Sequence, residues 1–186
     1  NYAALSAALI FYYYQKGMHV HDTFFFDAAY ESLGKWYRQL MAESLGKRFD
    51  CQGNFLEAGI LPTVSLGTVD LHSMVQLYLG GPKIRFTTFI PAEQNNKALM
   101  TNFLSTPTAL EMVQKAIFKG VQQAYLHHEL PFITLSGIGK NVESLGAFLQ
   151  YKMFEIVYLG FLMNVNPFDQ PQVEMYKKEV LKNLHV

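Results

Sequence analysis

The stretch Gly160-Phe-Leu-Met-Asn-Val-Asn-Pro-Phe-Asp-Gln-Pro-Gln-Val-Glu-Met-Tyr-Lys177 ends in a helix with a lysine on its apolar side. The pattern turns helical at Pro171. At 100° per residue Val173, Tyr176, Val180, Leu181 and Leu184 form one stripe, while Glu174, Lys178, Glu179 and Lys182 point away. Lys177 falls inside the stripe. An ammonium among apolar side chains is costly unless it is paired or functional, or unless the long side chain snorkels out past its neighbours. Both readings remain open on composition alone.

Outward from that stretch, the chain has 186 residues, 50% of them hydrophobic, enough for one good core and a single domain. Fifteen basic and fifteen acidic residues cancel, so nucleic-acid and anionic-membrane binding lack an electrostatic footprint. Cys51 stands alone, which excludes an internal disulfide and suits a reducing cytoplasm. The apolar runs around Ala7–Tyr14 and Ile156–Met163 fall short of the ~20 residues that span a bilayer, so a soluble protein is expected. The first residue is Asn1 and no signal segment follows, so the chain reads as a fragment or an incomplete gene.

Helical and strand patterns alternate. Asn1–Lys16 predicts a buried helix ending at Gly17, and Met18–Phe26 a strand in which His19 and His21 share a face. That histidine pair lacks a third ligand nearby, which favours a polar strand face over a metal site. Asp27–Ser44 predicts a helix with Leu33, Trp36, Tyr37, Leu40 and Met41 as its core stripe, closed by Gly46. Glu43 sits in its last turn at the stripe's margin. The negative helix end and partial burial both disfavour a charged carboxylate there, the direction a general base near neutrality requires; an ordinary solvated glutamate is the alternative.

From Phe49 to Gly67 the glycines and Pro62 read as an irregular stretch. Thr68 opens a short helix with Leu71, Met74, Val75, Tyr78 and Leu79 as its stripe. His72 is placed in its first turn, where the positive helix end favours a neutral imidazole, although a lone histidine there is more often structural. Lys83–Ile90 predicts a strand, Pro91–Lys97 a surface loop, and Ala98–His128 a helix broken near Pro107 with Thr106 or Thr108 as its cap. His127 and His128 suit a helix C-terminus. Leu130–Ser136 predicts a strand. Gly137-Ile-Gly-Lys140 lacks the spacing of a phosphate loop and reads as a turn. Asn141–Tyr158 predicts an apolar helix, buried or at a subunit interface, and Leu159–Val165 a last strand or an extended approach to Pro171. The alternation argues for an α/β fold, a three-layer α/β/α sandwich with a mainly parallel sheet.

Three segments carry a resemblance. Asn166-Pro-Phe-Asp-Gln-Pro-x-Val-Glu-x-Tyr-Lys177, Glu43-Ser-Leu-Gly-Lys47 and Thr68-Val-Asp-Leu-His-Ser-Met74 are similar to motifs of the bacterial glucose-6-phosphate isomerase (phosphoglucose isomerase) family. Gln172 stands where that family usually has Gly or Ala, and Val75 where it has Gly. The resemblance covers nearly the whole chain, and it implies a sugar-isomerase (SIS), flavodoxin-like domain spanning residues 1–186, the second of two, with the first absent.

It further implies an aldose-ketose isomerase of glycolysis and gluconeogenesis, interconverting glucose 6-phosphate and fructose 6-phosphate through an enediol without a cofactor or metal. Glu43 is implied as the proton-shuttling base, and His72 and Lys177 as assistants in ring opening. Gln170 is implied near the phosphate, with Ser44 and Thr68 as further substrate contacts. The family's active site is shared across a homodimer, the histidine coming from the neighbour. The family's Ser/Thr-rich phosphate loop and Gly-Gly-Arg segment are not visible in this sequence, so the isolated chain is expected to be inactive or nearly so. A non-catalytic sugar-phosphate-binding or dimerisation module and a dual phosphoglucose/phosphomannose isomerase are the alternatives.

Overall fold

The computed structural model describes residues 1–93, 100–103 and 106–184. Helix α1 (Tyr2–Gln15) is capped by the Asn1 side chain, which accepts from the Ala3 and Ala4 amides, and the chain turns back at Gly17 with φ +86°. Strand β1 (Val20–Phe25) is buried along its whole length. A short 3-10 turn follows, and helix α2 (Glu31–Leu45) then runs back across the sheet. Gly34 lets α2 lie flush on the strands: a Cβ there would come within 2.6 Å of the Phe25 ring and 2.7 Å of Val64.

The chain continues through β2 (Lys47–Phe49), β3 (Phe55–Ala58), β4 (Leu61–Leu66), α3 (Val69–Ser73), α4 (Val75–Gly80) and β5 (Arg85–Ile90). After β5 come β6 (Met100–Phe103), β7 (Thr106–Ala109), α5 (Leu110–His127), β8 (Phe132–Thr134), α6 (Val142–Leu162) and α7 (Pro171–Asn183). Four strands form one parallel sheet in the order β4-β1-β5-β8, with Val20 opposite Leu61 on one side and Arg85 on the other. The mainly parallel α/β architecture expected from the sequence is therefore what forms.

Strand alternation divides the core. Tyr37, Met41, Leu45 and Phe86 pack with Ile10 of α1 and Ile156 and Leu159 of α6 on one face, while Phe24, Phe89 and Tyr78 pack with Val121 and Tyr125 of α5 on the other. Each such side chain, fully buried, contributes ~1.5–3 kcal/mol of transfer free energy. The step from β1 out to β4 uses the first face, and the return over β1 to β5 uses the second. Right-handed crossovers require this change of face when the direction of travel reverses. The switch point lies between the adjacent strands β1 and β5, whose following helices α2 and α5 cover opposite faces.

Several expectations are corrected. Residues 49–67 are not irregular: β2 and β3 form an antiparallel hairpin and β4 joins the main sheet. Pro62 is tolerated because β4 is an edge strand, paired only with β1, where a missing N–H costs least. Within Ala98–His128, residues 100–103 and 106–109 form a second antiparallel hairpin. Helix α5 begins only at Leu110, its N-cap is Ala109 without a side-chain hydrogen bond, and Thr106 and Thr108 lie in β7. Of the Pro91–Lys97 loop, residues 94–97 lie outside the described residues, as do Ala98 and Leu99. The proposed strand or extended approach at 159–165 is helical as far as Leu162.

Helix α6 carries a feature its apolar sequence conceals. Lys152 and Glu155, three residues apart and both 0% exposed, form an ion pair at 2.7 Å. Glu155 also accepts from the Tyr37 hydroxyl at 2.6 Å and from the Ser6 hydroxyl, and the Lys152 ammonium lies 4.2 Å from the Tyr37 ring centre. Burial pushes the Glu155 carboxyl up, but the Lys152 charge and the hydrogen bonds from Lys152 and Ser6 outweigh it and hold the group below its ordinary range. His21 of β1 faces this cluster and pairs with the Thr88 hydroxyl at 3.0 Å. Burial, reinforced by the Lys152 charge, takes the His21 imidazole down to about 3. It is a neutral core histidine, and among the described residues no group of metal-ligating side chains forms around it or His19. By length and composition α6 is also long and apolar enough to cross a membrane, contrary to the reading of its shorter apolar run; here it packs along α1 and α2.

Candidate active site

Because α2 runs antiparallel to the strands, its last turn lies at their amino-terminal edge, where Ala42 meets Leu61 and Pro62 across a shared groove. Glu43 is half-buried there. Its two carboxylate oxygens are held by two amides: Gln39 Nε2 donates to Oε1 at 3.0 Å and Gln170 Nε2 to Oε2 at 3.1 Å. A carboxylate has about four lone-pair sites, so two remain open to take a proton while the amides fix its plane. Gln170 follows a loop that is itself well anchored. Val165 and Pro167 are buried, Asn166 Oδ1 accepts from the Phe168 amide at 3.1 Å, and Asn166 Nδ2 donates to Asp169 at 3.0 Å. Gly160 lets this loop pack on α6, since a Cβ there would meet the Pro167 ring at 3.0 Å.

Lys177 lies on α7 on the same side as Glu43, and it is not sunk in an apolar stripe. No residue of α7 is buried: Tyr176, Val180, Leu181 and Leu184 are 49–63% exposed, so no surface among the described residues encloses the stripe. Its amine instead pairs with Glu174 at 2.8 Å. That hydrogen bond, then the Glu174 charge, with the Glu43 charge as a minor contributor, raises the ammonium above its usual range. The structure thus brings Glu43, Gln170 and Lys177 together at one edge. Ser44, beside Glu43, is buried, with 8% exposure.

His72 and Thr68 lie elsewhere. They follow the carboxyl end of β4, roughly 20 Å from Glu43 along six residues of strand rising 3.3 Å each. Helix α3 ends at Ser73 and α4 restarts at Val75, so His72 occupies the last turn of a one-turn helix, and the first-turn argument for a neutral imidazole does not apply. Both residues are exposed. Thr68 adopts φ +73° and ψ −53°, a rare γ-turn geometry for a β-branched residue. The turn is held from both sides, by Asp70 Oδ2 accepting from the Leu66 amide at 2.7 Å and by Gly67, where a Cβ would strike the Phe26 backbone at 2.9 Å. Beside it a cleft of about 560 Å3 opens at the carboxyl ends of β1, β4 and β5, with Phe26, Asp27, Thr68, Glu93, Phe118 and Lys140 on its walls. This is the edge where parallel α/β sheets present ligand sites, close to the change in strand order.

The family model described as phosphoglucose isomerase matches residues 1–185. The chain belongs to the phosphoglucose isomerase family. It is 30% identical over 188 residues to the glucose-6-phosphate isomerase of Carboxydothermus hydrogenoformans, covering 96% of this chain and 40% of that protein. The Clostridium tetani enzyme of the same name is 33% identical over 177 residues, covering 90% of this chain and 37% of its own length. The chain therefore spans about two fifths of the curated relatives it matches. Among solved structures, a hypothetical protein of Thermus thermophilus superposes with a TM-score of 0.86 at 26% identity, over 96% of this chain and 44% of that one. A glucose-6-phosphate isomerase from Chlamydia trachomatis shares the fold, with a TM-score of 0.83 at 18% identity, over 97% of this chain and 38% of its own.

Two further residues beside Glu43 were given no role from the sequence. Gln39 lies one helical turn before Glu43, and that spacing was a legible signal. Lys47 reaches back to the same end of α2; it closes the Glu43-Ser-Leu-Gly-Lys47 segment, but nothing in that segment shows that its ammonium is buried.

Proposed function

We propose that the chain carries the proton-transfer half of a glucose-6-phosphate isomerase site, acting on glucose 6-phosphate and fructose 6-phosphate in glycolysis and gluconeogenesis. The observation that carries this reading is the convergence of Glu43, Gln170 and Lys177 from α2, the 163–170 loop and α7. Glu43 removes the C2 proton of the open-chain aldose; the C–H electrons form the C1–C2 double bond and the C1 oxygen takes a proton, giving an enediol. The protonated Glu43 returns its proton to C1 as the C2 hydroxyl loses its own and becomes the ketone. Lys177 exchanges a proton with the ring oxygen or the anomeric hydroxyl during ring opening, and Gln170 holds Glu43 while facing the phosphate end.

His72 sits at the far edge of the same subunit, so in this reading the imidazole reaches a given Glu43 from the neighbour in a homodimer, with Thr68 beside it. Residues 1–186 form one sugar-isomerase domain of a longer two-domain enzyme, consistent with its span of two fifths of its relatives. A cytoplasmic location is supported by the exposed lone thiol of Cys51. The decisive test measures interconversion of the two sugar phosphates by the full-length gene product. Glu43→Gln should lower kcat by roughly 10²–10⁴-fold, the usual contribution of a positioned base. Retained turnover in that variant refutes the assignment.

A further inference from the structure

We propose that Lys47 is a positioning residue for the Glu43 carboxylate, its buried ammonium fastening the last turn of α2 to the loop that bears Gln170. The inference rests on the isomerase reading above. Lys47 Nζ donates to the Glu43 backbone carbonyl at 3.3 Å and to the Asp169 backbone carbonyl, and it pairs with the Asp169 carboxylate at 3.0 Å. An ammonium has three N–H donors, and here three oxygens from two residues meet them. One residue is Glu43 and the other immediately precedes Gln170.

Burial argues against a merely solvating role. The Lys47 side chain is 5% exposed while that of Asp169 is 53% exposed, so the cation is the enclosed partner. A surface lysine keeps its ammonium in water. The cation also sits where the carbonyls of a helix end are unsatisfied and the helix field is negative, which favours it there. Gln170 donates to Glu43 from one side while Lys47 grips the backbone on both sides of that contact. Without the ammonium, Glu43 and Gln170 are joined by a single exposed amide contact.

The test compares Lys47→Met and Asp169→Asn with the full-length wild-type enzyme. Lys47→Met should lower kcat by about 100-fold, the effect of displacing a reacting group by about 1 Å, while KM and the midpoint of thermal unfolding stay close to wild type. Asp169→Asn, which weakens the ion pair without opening the core, should give a smaller fall in kcat. If Lys47→Met does not fold, Asp169→Asn decides, and an unchanged kcat there overturns the proposal, as does an unchanged kcat in a folded Lys47→Met. A wild-type enzyme without turnover sinks the isomerase reading instead. Amide hydrogen exchange over residues 166–170 then decides for Lys47: faster exchange in both variants is expected, and unchanged exchange overturns it.

Discussion

Replacing Lys152 by Met leaves the Glu155 carboxylate buried without its counter-charge. Both side chains are 0% exposed and 2.7 Å apart, so neither solvent nor a second cation among the described ion pairs takes over. Removing one partner of a buried pair typically costs ~3–5 kcal/mol. Glu155 keeps the Tyr37 and Ser6 hydroxyl donors, which places the expected loss near the lower end, about 3 kcal/mol. For a domain of this size that is a fall in unfolding midpoint of about 6–12 °C.

Urea denaturation of wild type, Lys152→Met, Glu155→Leu and the double variant at constant m measures the coupling directly. The double variant should be more stable than the sum of the single losses predicts, because the orphaned charge is gone. The sign of the pH dependence is a further check. Glu155 has a lowered pKa in the folded wild type, so its stabilisation is present above the unfolded value of about 4.3 and is lost as pH falls. In Lys152→Met burial no longer meets the Lys152 charge, the largest opposing influence, and raises the folded pKa. The deficit of that variant should therefore be widest at neutral pH and narrow as pH drops towards 4. A cost below about 1 kcal/mol, or strict additivity in the cycle, refutes the account of an enclosed pair.

Other expectations follow from the same geometry. With its folded pKa down at about 3, His21 contributes stability above the unfolded value of about 6.5, and that contribution is lost at about 1.4 kcal/mol per pH unit as pH falls towards 3; His21→Gln should flatten that part of the curve in urea titrations. Gly34→Ala should lose about 1–3 kcal/mol because its Cβ arrives 2.6 Å from the Phe25 ring, and an unchanged unfolding midpoint would show that α2 can ride up on the sheet. Thr68→Gly should be neutral or stabilising by about 1 kcal/mol, since glycine adopts φ +73° without a Cβ penalty, while calorimetry of a Thr68→Val variant should show no such gain.

The fold was legible wherever periodicity was strong. The Tyr37 and Met41 stripe of α2, the buried run of β1 and the apolar length of α6 all announced their elements. The edge strand β4 was missed because Pro62 and the polar Thr63 and Ser65 weaken a strand pattern; the missing donor matters little only because nothing pairs on that side, and adjacency is a tertiary fact. In the β6–β7 hairpin Thr106, Pro107 and Thr108 disfavour a helix, and the helical pattern of the flanking residues masks that strand signal. The Lys152–Glu155 pair was also written in the sequence, as opposite charges three apart in an otherwise apolar helix.

At the site, the sequence-derived candidates Glu43, Gln170 and Lys177 share one edge, and α7 exposes the stripe that was expected to enclose Lys177. The distance from Glu43 to His72 was not readable, because it depends on which way α2 crosses the strands. Nor was the grip of Lys47 on Asp169, which joins residues 122 positions apart.

The placement of carboxylate and imidazole on opposite rims has a genetic consequence. If each reaction centre draws one group from each copy, two separately dead proteins, Glu43→Gln and His72→Ala, can restore one another when co-expressed. A mixed pair holds one centre with both defects and one with neither, so random pairing should recover about a quarter of wild-type turnover. Such interallelic complementation appears only when the two polypeptides meet, and fails when both lesions sit on the same one.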